Sequence, residues 1–247
     1  MVDFERLLRP NPFAGDDGGV QPQMASALAL TDAAERQEAL VAALATGRVF
    51  VPVQAHAHPG YEDGSVASHV PSPNPNEEAL EEASELTVPA PGGLRAMPVF
   101  SSAAALAEFD AQARPLPVLG RNAAAQALLH TGLLAVDPAP EKFSLAGDFF
   151  GRSAVVAIAS GEAWLAPWID PQILMRLRSA LTGCEAAQKV TVSAGSHGVV
   201  RIAIIISEFV GQEGAREAVT RIAWALAHDS YLKSHLDLVE ILPVRRA

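Results

Sequence analysis

A short unit recurs along the first half of the chain: an apolar strand, a break made by proline or serine, an alanine-rich helix and a glycine stop. Strands of this unit cover residues 49–53, 97–100 and 116–119, and a closing strand covers residues 133–136. Apolar strands that alternate with helices must bury one face against those helices. The unit therefore predicts an α+β fold, and it carries no information about a reaction.

A second group of elements follows near the end of the chain. Residues 190–193 and 199–209 flank a Gly-rich turn, which is typical of a β-hairpin. The strand at 199–209 is apolar on both faces and is expected to be central. A helix over 213–229 and a strand over 236–242 complete the chain. We expect two lobes, divided near residues 183–188, each a mixed or antiparallel sheet packed with helices.

Cap residues delimit the predicted helices. Asp32 begins a helix that ends at Gly47 in a left-handed conformation, and a serine at 101 or 102 begins another. Asp170, which precedes a proline, begins a further helix that ends at Gly183. These signals set the positions of helices without stating what the helices pack against.

Two aromatic residues between the lobes are the predicted binding residues. Residues 153–159 and 163–168 are predicted to be two strands joined by a tight turn. Trp164 and Trp168 flank a proline in the second strand, and exposed tryptophan is enriched where proteins bind one another. The alternative is that both indoles cap the core.

Two segments depart from the pattern. Residues 1–25 are rich in proline and glycine and are predicted to be a flexible arm. Residues 54–93 contain six prolines and seven acidic side chains but no Lys or Arg. Such a composition buries too little apolar surface to offset its ordering entropy, so we expect a surface insertion with one or two helical turns near 77–86. The first domain is thus 26–183 and the second 188–247.

Composition excludes several classes of partner. The net charge is −10, which is unfavourable for non-specific binding to nucleic acid or to anionic lipid. Cys184 is the only cysteine, so no disulfide forms within the chain and a reducing compartment is expected. The first residues lack a signal-peptide pattern, and no apolar run is long enough for a membrane helix. We expect a cytoplasmic protein.

The order of the strands and helices resembles a known family. Residues 47–53, 97–102 and 132–138, with the helices between them, resemble the N-terminal domain of the SseB (enhanced serine sensitivity) proteins of bacteria. Residues 188–247 are similar to the smaller C-terminal domain of that family. The resemblance implies two α+β domains and an effect on serine tolerance. It implies no mechanism, no catalytic residue and no cofactor.

A cluster of histidines lies within the acidic insertion and is the candidate metal site. Its possible ligands are His56, His58 and His69, beside Glu62 and Asp63. Imidazole and carboxylate groups bind zinc or nickel, but this spacing matches no strong metal motif. We expect no metal and no other cofactor, and a metal-responsive protein remains the third interpretation.

Three further motifs favour a structural interpretation. Ser196 and His197 are adjacent in the predicted hairpin turn, where neighbours rarely face each other as nucleophile and base. Residues 120–122 open a helix in which Asn122 is the predicted cap, and no phosphate-binding glycine motif accompanies them. Cys184 follows a helix C-terminus, where the helix dipole disfavours a thiolate.

The absence of a catalytic motif favours a non-enzymatic protein-binding or regulatory protein. The alternative is an enzyme or small-ligand-binding protein whose site is assembled only by the fold. His130, Asp137 and His197 are the residues to inspect for such a site, because each ends a predicted element. The expected partner is another protein or a second copy, because strands with Pro52 and Pro98 suggest sheet edges that need cover.

Overall fold

The computed structural model describes residues 13–53, 75–140, 146–208 and 210–245. Its helices are α1 Pro22–Leu28, α2 Ala33–Thr46, α3 Pro75–Glu85, α4 Ala103–Phe109, α5 Gly120–Leu129, α6 Arg152–Ser160, α7 Pro171–Ala180, α8 Gln212–His228 and α9 Ser230–His235. Its strands are β1 Arg48–Val53, β2 Val88–Pro89, β3 Arg95–Val99, β4 Arg114–Leu119, β5 Leu134–Val136, β6 Asp148–Phe150, β7 Ala187–Ala194, β8 Val200–Ile206 and β9 Val239–Arg245. The fold is α+β, as the sequence predicts.

Two sheets form the first half of the molecule. Strands β1 and β4 pair antiparallel, and a second sheet has the order β2-β3-β5-β6, in which only β3 and β5 run parallel. Phe50 and Phe100 join the two sheets, because the backbone N–H of each donates to the carbonyl of the other at 2.8 and 2.9 Å. Helices α2, α5 and α6 cover this assembly. The core between them includes Leu40, Leu44, Met97, Leu134, Phe150 and Ile158.

The second half contains one sheet, in the order β7-β8-β9. Strands β7 and β8 form the predicted antiparallel hairpin, β9 adds in parallel, and β8 is central as expected. Alternate residues of β8 are buried under α7, α8 and α9, so that the core includes Ile173, Leu177, Ile202, Ile204, Ile222 and Leu232. This core includes a helix that precedes residues 183–188. The division into two lobes stays a prediction.

The segment between α6 and α7 corrects the predicted hairpin. Residues 153–159 lie in helix α6, and residues 163–168 form an irregular segment that ends in a turn instead of a strand. The buried positions of α6 are Ala154, Val155, Ala157 and Ile158, which follow the helical period. Gly161, at φ 72°, ends the helix in the left-handed conformation, and its N–H donates to the carbonyls of Ala157 and Ile158. The β-branched residues of α6 suggest a strand, but tertiary packing decides for a helix.

Part of the acidic insertion is ordered and belongs to the core, which corrects its description as a surface insertion over 54–93. The predicted helical turns are a helix of 11 residues, α3. Its side chains at Leu80 and Ala83 are buried in the core of the first half, while its described acidic residues are exposed. Strand β2 then pairs with β3. The overall acidic composition does not reveal this amphipathic pattern. Charged residues on the outer face of a helix are compatible with burial of its inner face. Residues 54–74 lie outside the described residues.

Residues 13–25 of the predicted flexible arm are fixed by a buried arginine. The Arg48 side chain is 3% exposed, and its Nε and Nη2 donate to the two carboxylate oxygens of Asp16 at 2.7 and 2.6 Å. The same guanidinium donates to the carbonyls of Ser101 and Gly19. The Arg48 hydrogen bonds, and after them the N–H of Gly18, hold the pKa of Asp16 below its usual value. Residues 1–12 lie outside the described chain.

The two strand prolines occupy positions where no ladder hydrogen bond is needed. Strand β1 pairs with β4 alone, and Pro52 lies two residues after Phe50, on the side that faces away from β4. Strand β3 is internal, between β2 and β5, which corrects the predicted edge at Pro98. The nitrogen of Pro98 faces away from β5, toward the opposite side of β3. On that opposite side Ala96 pairs with β2 and Phe100 pairs with β1, and Pro98 lies between these two pairings. A strand interior tolerates proline at such a gap.

Most predicted helix starts are confirmed. The side chains of Asp32, Ser102 and Asp170 accept backbone N–H groups at the starts of α2, α4 and α7. Helix α5 corrects its predicted cap, because it begins at Gly120 with Leu119 before it, and not after Asn122. A side chain at Gly120 would collide with the carbonyl of Leu44, so close helix packing requires glycine there.

Two predicted helix ends need correction. Gly47, which ends α2, is extended with φ −92° and ψ −179° and is not left-handed. A β-carbon at Gly47 would lie 2.6 Å from the carbonyl oxygen of Ala43, which explains the glycine. Helix α7 ends at Ala180, and Gly183, at φ 76°, lies in the turn that follows. A glycine in the sequence thus indicates that a helix ends nearby more reliably than it indicates the backbone conformation of that end.

We predict that Asp16→Ala lowers the free energy of unfolding by about 2–4 kcal/mol, because it leaves the Arg48 guanidinium buried without its carboxylate. Asp17→Ala is the matched control, since Asp17 is exposed and bonds only the N–H of Gly19 among the described residues. Urea unfolding at neutral pH measures both variants. The folded-state pKa of Asp16 is lowered, so the stabilisation is present at neutral pH and lost as the pH falls below the usual value of 3.8. Equal losses in both variants would contradict the role of the buried pair.

Candidate functional site

A cleft lies between the two halves of the molecule. It is formed by the start of α2, by the residues at the start of β6 and by the turn that joins β7 to β8, and its volume is about 510 Å³. Its polar lining comes from Arg36, Gln37, Asp148, Ser196, His197 and Arg201. These residues are up to 165 positions apart in the chain, and only the fold brings them together.

An ion pair with a buried carboxylate forms one wall of the cleft. The side chain of Asp148 is 9% exposed, and its Oδ2 accepts from Nη2 of Arg36 at 2.7 Å. Nε of Arg36 also contacts both carboxylate oxygens, and Nε2 of Gln37 donates to Oδ1 at 3.3 Å. The remaining Nη1 of Arg36 donates to the carbonyls of Leu28 and Leu30. The hydrogen bonds to Asp148 raise the pKa of Arg36 above its usual value.

The turn between β7 and β8 forms the opposite wall and is docked on β6. Nδ1 of His197 donates to the carbonyl of Gly147 at 2.8 Å. A carbonyl oxygen only accepts, so Nδ1 carries the proton and Nε2 is the free nitrogen of the ring. A side chain at Gly198 would collide with the carbonyl of Phe149, so glycine allows the turn to approach β6 closely.

His197 and Asp137 are the only non-glycine residues with positive φ in the described part of the chain. Their φ angles are 56° and 46°, a conformation that costs free energy for residues with a β-carbon. Both lie beside Gly147: His197 bonds its carbonyl, and a β-carbon at Gly147 would lie 3.0 Å from the carbonyl oxygen of Asp137. Backbone strain of this kind is frequent at functional sites, and here it is concentrated at one place.

Asp137 is a half-buried carboxylate behind the cleft. It accepts the backbone N–H of Ser101 at 2.8 Å. Burial raises the pKa of Asp137 above its usual value, against the hydrogen bonds from Ser101, and the negative charge of Asp148 acts in the same direction as burial. The positive charge of Arg36 lowers it, as the smallest of these effects.

An arginine on β8 completes the polar lining. Arg201 is the single charged residue of that strand, and its Nε donates to Oε1 of Glu240 on β9 at 2.6 Å. The two side chains are 42% and 37% exposed. This pair is more exposed to solvent than Arg36 and Asp148. The Nη1 and Nη2 atoms of Arg201 bind no carboxylate among the described residues.

The structure brings together some of the residues selected from the sequence and separates others. His197 lines the cleft and Asp137 lies behind it, but His130 ends α5 and no hydrogen bond among the described residues joins its side chain to either. The ring of His197 bonds Gly147 instead of Ser196, which agrees with the interpretation of that pair as a turn. Cys184 is 5% exposed within the core of the second half.

The helix start at residues 120–122 and the histidine cluster of the insertion are two further motifs selected from the sequence. The N-terminus of α5 packs on α2, with the N–H of Gly120 bonded to the carbonyl of Gly47, so the expected ordinary helix start is present there. His56, His58, His69, Glu62 and Asp63 lie outside the described residues. Among residues that the structure does describe, no group of three or more His, Cys, Asp or Glu is placed to hold a metal ion. Likewise, no described helix is long and apolar enough to span a membrane.

Trp164 and Trp168 form a half-buried pair between the halves. Their rings meet edge to face with centroids 5.4 Å apart. Nε1 of Trp168 donates to Oε1 of Glu38 on α2 at 2.8 Å, and Nε1 of Trp164 lies 3.4 Å from Oγ of Ser153. Both indoles thus contribute to packing, yet Trp164 also lines an open groove of about 350 Å³.

The groove at Trp164 has an apolar rim. Val156 on α6 and Leu165 in the following loop are 47% and 51% exposed, and both line the groove. A second groove, of about 630 Å³, lies between α7 and α8, where Met175 and Trp224 are 54% and 64% exposed. Large apolar side chains with this exposure are common one at a time, but here they are paired across concave surfaces.

We predict opposite effects for two substitutions of Asp137. Asp137→Asn raises the melting temperature at neutral pH, because it removes a carboxylate whose ionised form is disfavoured by burial. Asn also accepts the N–H of Ser101 and tolerates positive φ. Asp137→Ala loses that acceptor and lowers stability by about 1–3 kcal/mol.

The pH dependence distinguishes these explanations. The folded-state pKa of Asp137 lies above the usual 3.8, so its ionisation costs stability at neutral pH and this cost disappears as the pH falls. The advantage of Asp137→Asn over the natural chain should therefore shrink between about pH 7 and about pH 4. Thermal unfolding followed by circular dichroism measures it. A less stable Asn variant at neutral pH would contradict the role assigned to burial.

Comparison with known proteins gives one match. The family model of the SseB protein N-terminal domain matches residues 23–150, which is just over half of the 247 residues and includes the walls of the cleft on α2 and β6. No curated protein and no solved structure matches the chain. The match ends before α6, so the similarity of residues 188–247 to the C-terminal domain of that family stays a prediction. The predicted family is confirmed for the first half, and the chain belongs to the SseB family.

Proposed function

We propose that this SseB-family chain is a non-enzymatic protein-binding or regulatory protein of the cytoplasm, and that the groove at Trp164 is its docking surface. The observation that carries the proposal is the exposure of Val156 and Leu165 on either side of a half-buried indole. Trp164 and its neighbour Trp168 are thereby assigned the binding role expected from the sequence.

The floor of the groove is held in place before any partner binds. Trp168 fixes the ring of Trp164 by edge-to-face packing, and Glu38 in turn accepts the N–H of Trp168. A side chain that is already immobilised loses little conformational entropy on binding, so its contact area contributes more to affinity. Tryptophan in a pocket of this kind is typical of the residues that dominate binding energy.

The lining of the groove indicates the chemistry of the partner. Val156, Trp164 and Leu165 supply its large apolar side chains. Arg152 and Glu162 place one charge of each sign on the lining. The complementary segment is an apolar side chain with charged or polar neighbours, presented by another protein. Charged neighbours set orientation and association rate more than affinity.

A second candidate is self-association, and it rests on a different surface. Met175 and Trp224 are the most exposed pair of large apolar side chains that line one groove in the described structure. The same patch on two copies can meet across a two-fold axis, which is the commonest symmetry of soluble oligomers. We include a homodimer formed through α7 and α8 in the proposal.

The enzyme alternative has less support from the described residues. Asp148 is engaged by Arg36 and Gln37, and His197 bonds a backbone carbonyl. A nucleophile and a base within hydrogen-bond reach are needed for group transfer, and these contacts do not supply them. The small-ligand alternative concerns the cleft and is independent of the Trp164 groove.

Site-specific photocrosslinking tests the docking surface. We predict that a benzophenone amino acid at position 165 captures a defined partner in extract of the source cells, and that Val156→Asp abolishes this adduct because it places a charge in the apolar groove. The matched control is the same crosslinker at Leu129, which is 74% exposed on α5 and lines none of the described grooves. The same adducts from both positions, or adducts that persist in the folded Val156→Asp variant, would refute the groove as the docking surface.

Sedimentation velocity tests self-association. We predict a dimer at concentrations of about tens of micromolar, which is the range of moderate protein affinities. Trp224→Ser should give a monomer because it removes the largest apolar contact of the α7–α8 groove, while Leu129→Ser should leave the dimer unchanged. A natural chain that sediments as a monomer at these concentrations would exclude the homodimer without bearing on the Trp164 groove.

A further inference from the structure

We propose that the cleft between the halves binds a small organic anion, whose carboxylate or phosphate group is held by Arg201 and whose hydroxyl group donates to His197. This site is separate from the Trp164 groove and shares no lining residue with it. The proposal therefore does not depend on protein binding, and its test uses other residues.

Arg201 is the charged residue of the cleft lining whose hydrogen-bonding atoms are not all used. Its Nη1 and Nη2 have no hydrogen-bond partner among the described residues, whereas both carboxylate oxygens of Asp148 are bonded. The hydroxyl groups of Thr31 and Ser196, which donate or accept, and Oε1 of Gln37, which accepts, also have no partner there. A ligand with an oxyanion for Arg201 and hydroxyl groups beside it satisfies this surface, and a cationic ligand does not.

Arg201 has the geometry to bind an oxyanion without losing its present contact. Its Nε is committed to Glu240, and the edge formed by Nη1 and Nη2 remains available. A guanidinium edge donates two parallel hydrogen bonds to a carboxylate or phosphate, which gives both strength and orientation. The partial exposure of Arg201 leaves that edge accessible from the cleft.

His197 supplies the second contact. Its Nδ1–H is fixed on the carbonyl of Gly147, which leaves the lone pair of Nε2 to accept a hydrogen bond from a hydroxyl group of the ligand. The left-handed backbone at His197 costs free energy that a glycine, as found at Gly195 and Gly198 in the same turn, would avoid. The strained backbone of His197 lies at the point where the turn meets the cleft.

The size and position of the cleft fit a small molecule better than a bare ion. Pockets for small ligands commonly measure about 300–1,000 Å³ and lie between structural units, and the volume of about 510 Å³ falls in this range. The nearby charges largely cancel, as Arg36 pairs with Asp148 and Arg201 with Glu240. The attraction for the anion is therefore local and not a result of the overall charge, which is −10.

Calorimetric titration of the whole chain tests the site, with inorganic phosphate, citrate and adenosine monophosphate as three separate probes. We expect at least one probe to saturate at neutral pH with a dissociation constant below about 1 mM. Citrate and phosphate distinguish a carboxylate from a phosphate ligand, and the nucleotide tests a larger organic anion.

Three variants assign the binding to its residues. Arg201→Gln should weaken binding at least about tenfold, because it removes the charged fork. Arg178→Gln is the matched control, as Arg178 is an exposed arginine on α7 outside the cleft, and it should bind like the natural chain. His197→Asn preserves an amide donor for Gly147 and tolerates positive φ, but it lacks Nε2 as an acceptor, so binding of the saturating probe should weaken severalfold.

The outcomes decide the proposal either way. Thermal unfolding confirms that each variant is folded, and Arg201→Lys replaces Arg201→Gln if the latter unfolds, since lysine keeps the charge without the fork. Saturable binding that is lost in the Arg201 variant and kept in Arg178→Gln supports the site. The site is overturned if none of the three probes saturates, or if the variants of Arg201 and Arg178 bind alike.

Discussion

The ion pair between Arg36 and Asp148 is the interaction on which the arrangement of the cleft depends. Removing the carboxylate of Asp148 from water is costly, and it is tolerated because the guanidinium bonds both carboxylate oxygens and Gln37 adds a further donor. The pair fixes the start of β6 against α2. The carbonyls of Gly147 and Phe149, one residue to either side of Asp148, then receive the turn between β7 and β8. One ion pair in the first half thus positions the docking of the second half.

Local signals in the sequence predict the elements better than the composition of long segments does. Asp32 and Asp170 mark helix starts because a cap depends on two or three neighbouring residues. The strand predicted at residues 153–159 and the surface location predicted for the insertion over 54–93 are wrong for opposite reasons. In residues 153–159 the β-branched side chains favour a strand, although the buried positions follow a helical period. In the insertion the many acidic residues suggest a surface segment, although one face of α3 is apolar and buried.

The candidate sites are harder to predict because their residues meet only in the fold. His197 and Asp137 can be selected as residues at the ends of elements, but Arg36 and Asp148 are 112 positions apart and carry no local signal. Arg201 does carry one, since it is the single charge in an apolar strand. For Trp164 the residue type suggests binding, while its exposed neighbour Val156 becomes visible only once α6 is known to be a helix.

The two proposed binding sites share a single helix. Arg36 and Gln37 of α2 line the cleft, and the next residue, Glu38, accepts the N–H of Trp168 beneath the groove. A small cavity of about 20 Å³, lined by Gln37 and both indoles, lies between them. Contact of this kind does not by itself make the sites interdependent. A ligand shifts an equilibrium only by its difference in affinity between two states, so an anion that leaves α2 in place would bind the cleft without changing affinity at Trp164.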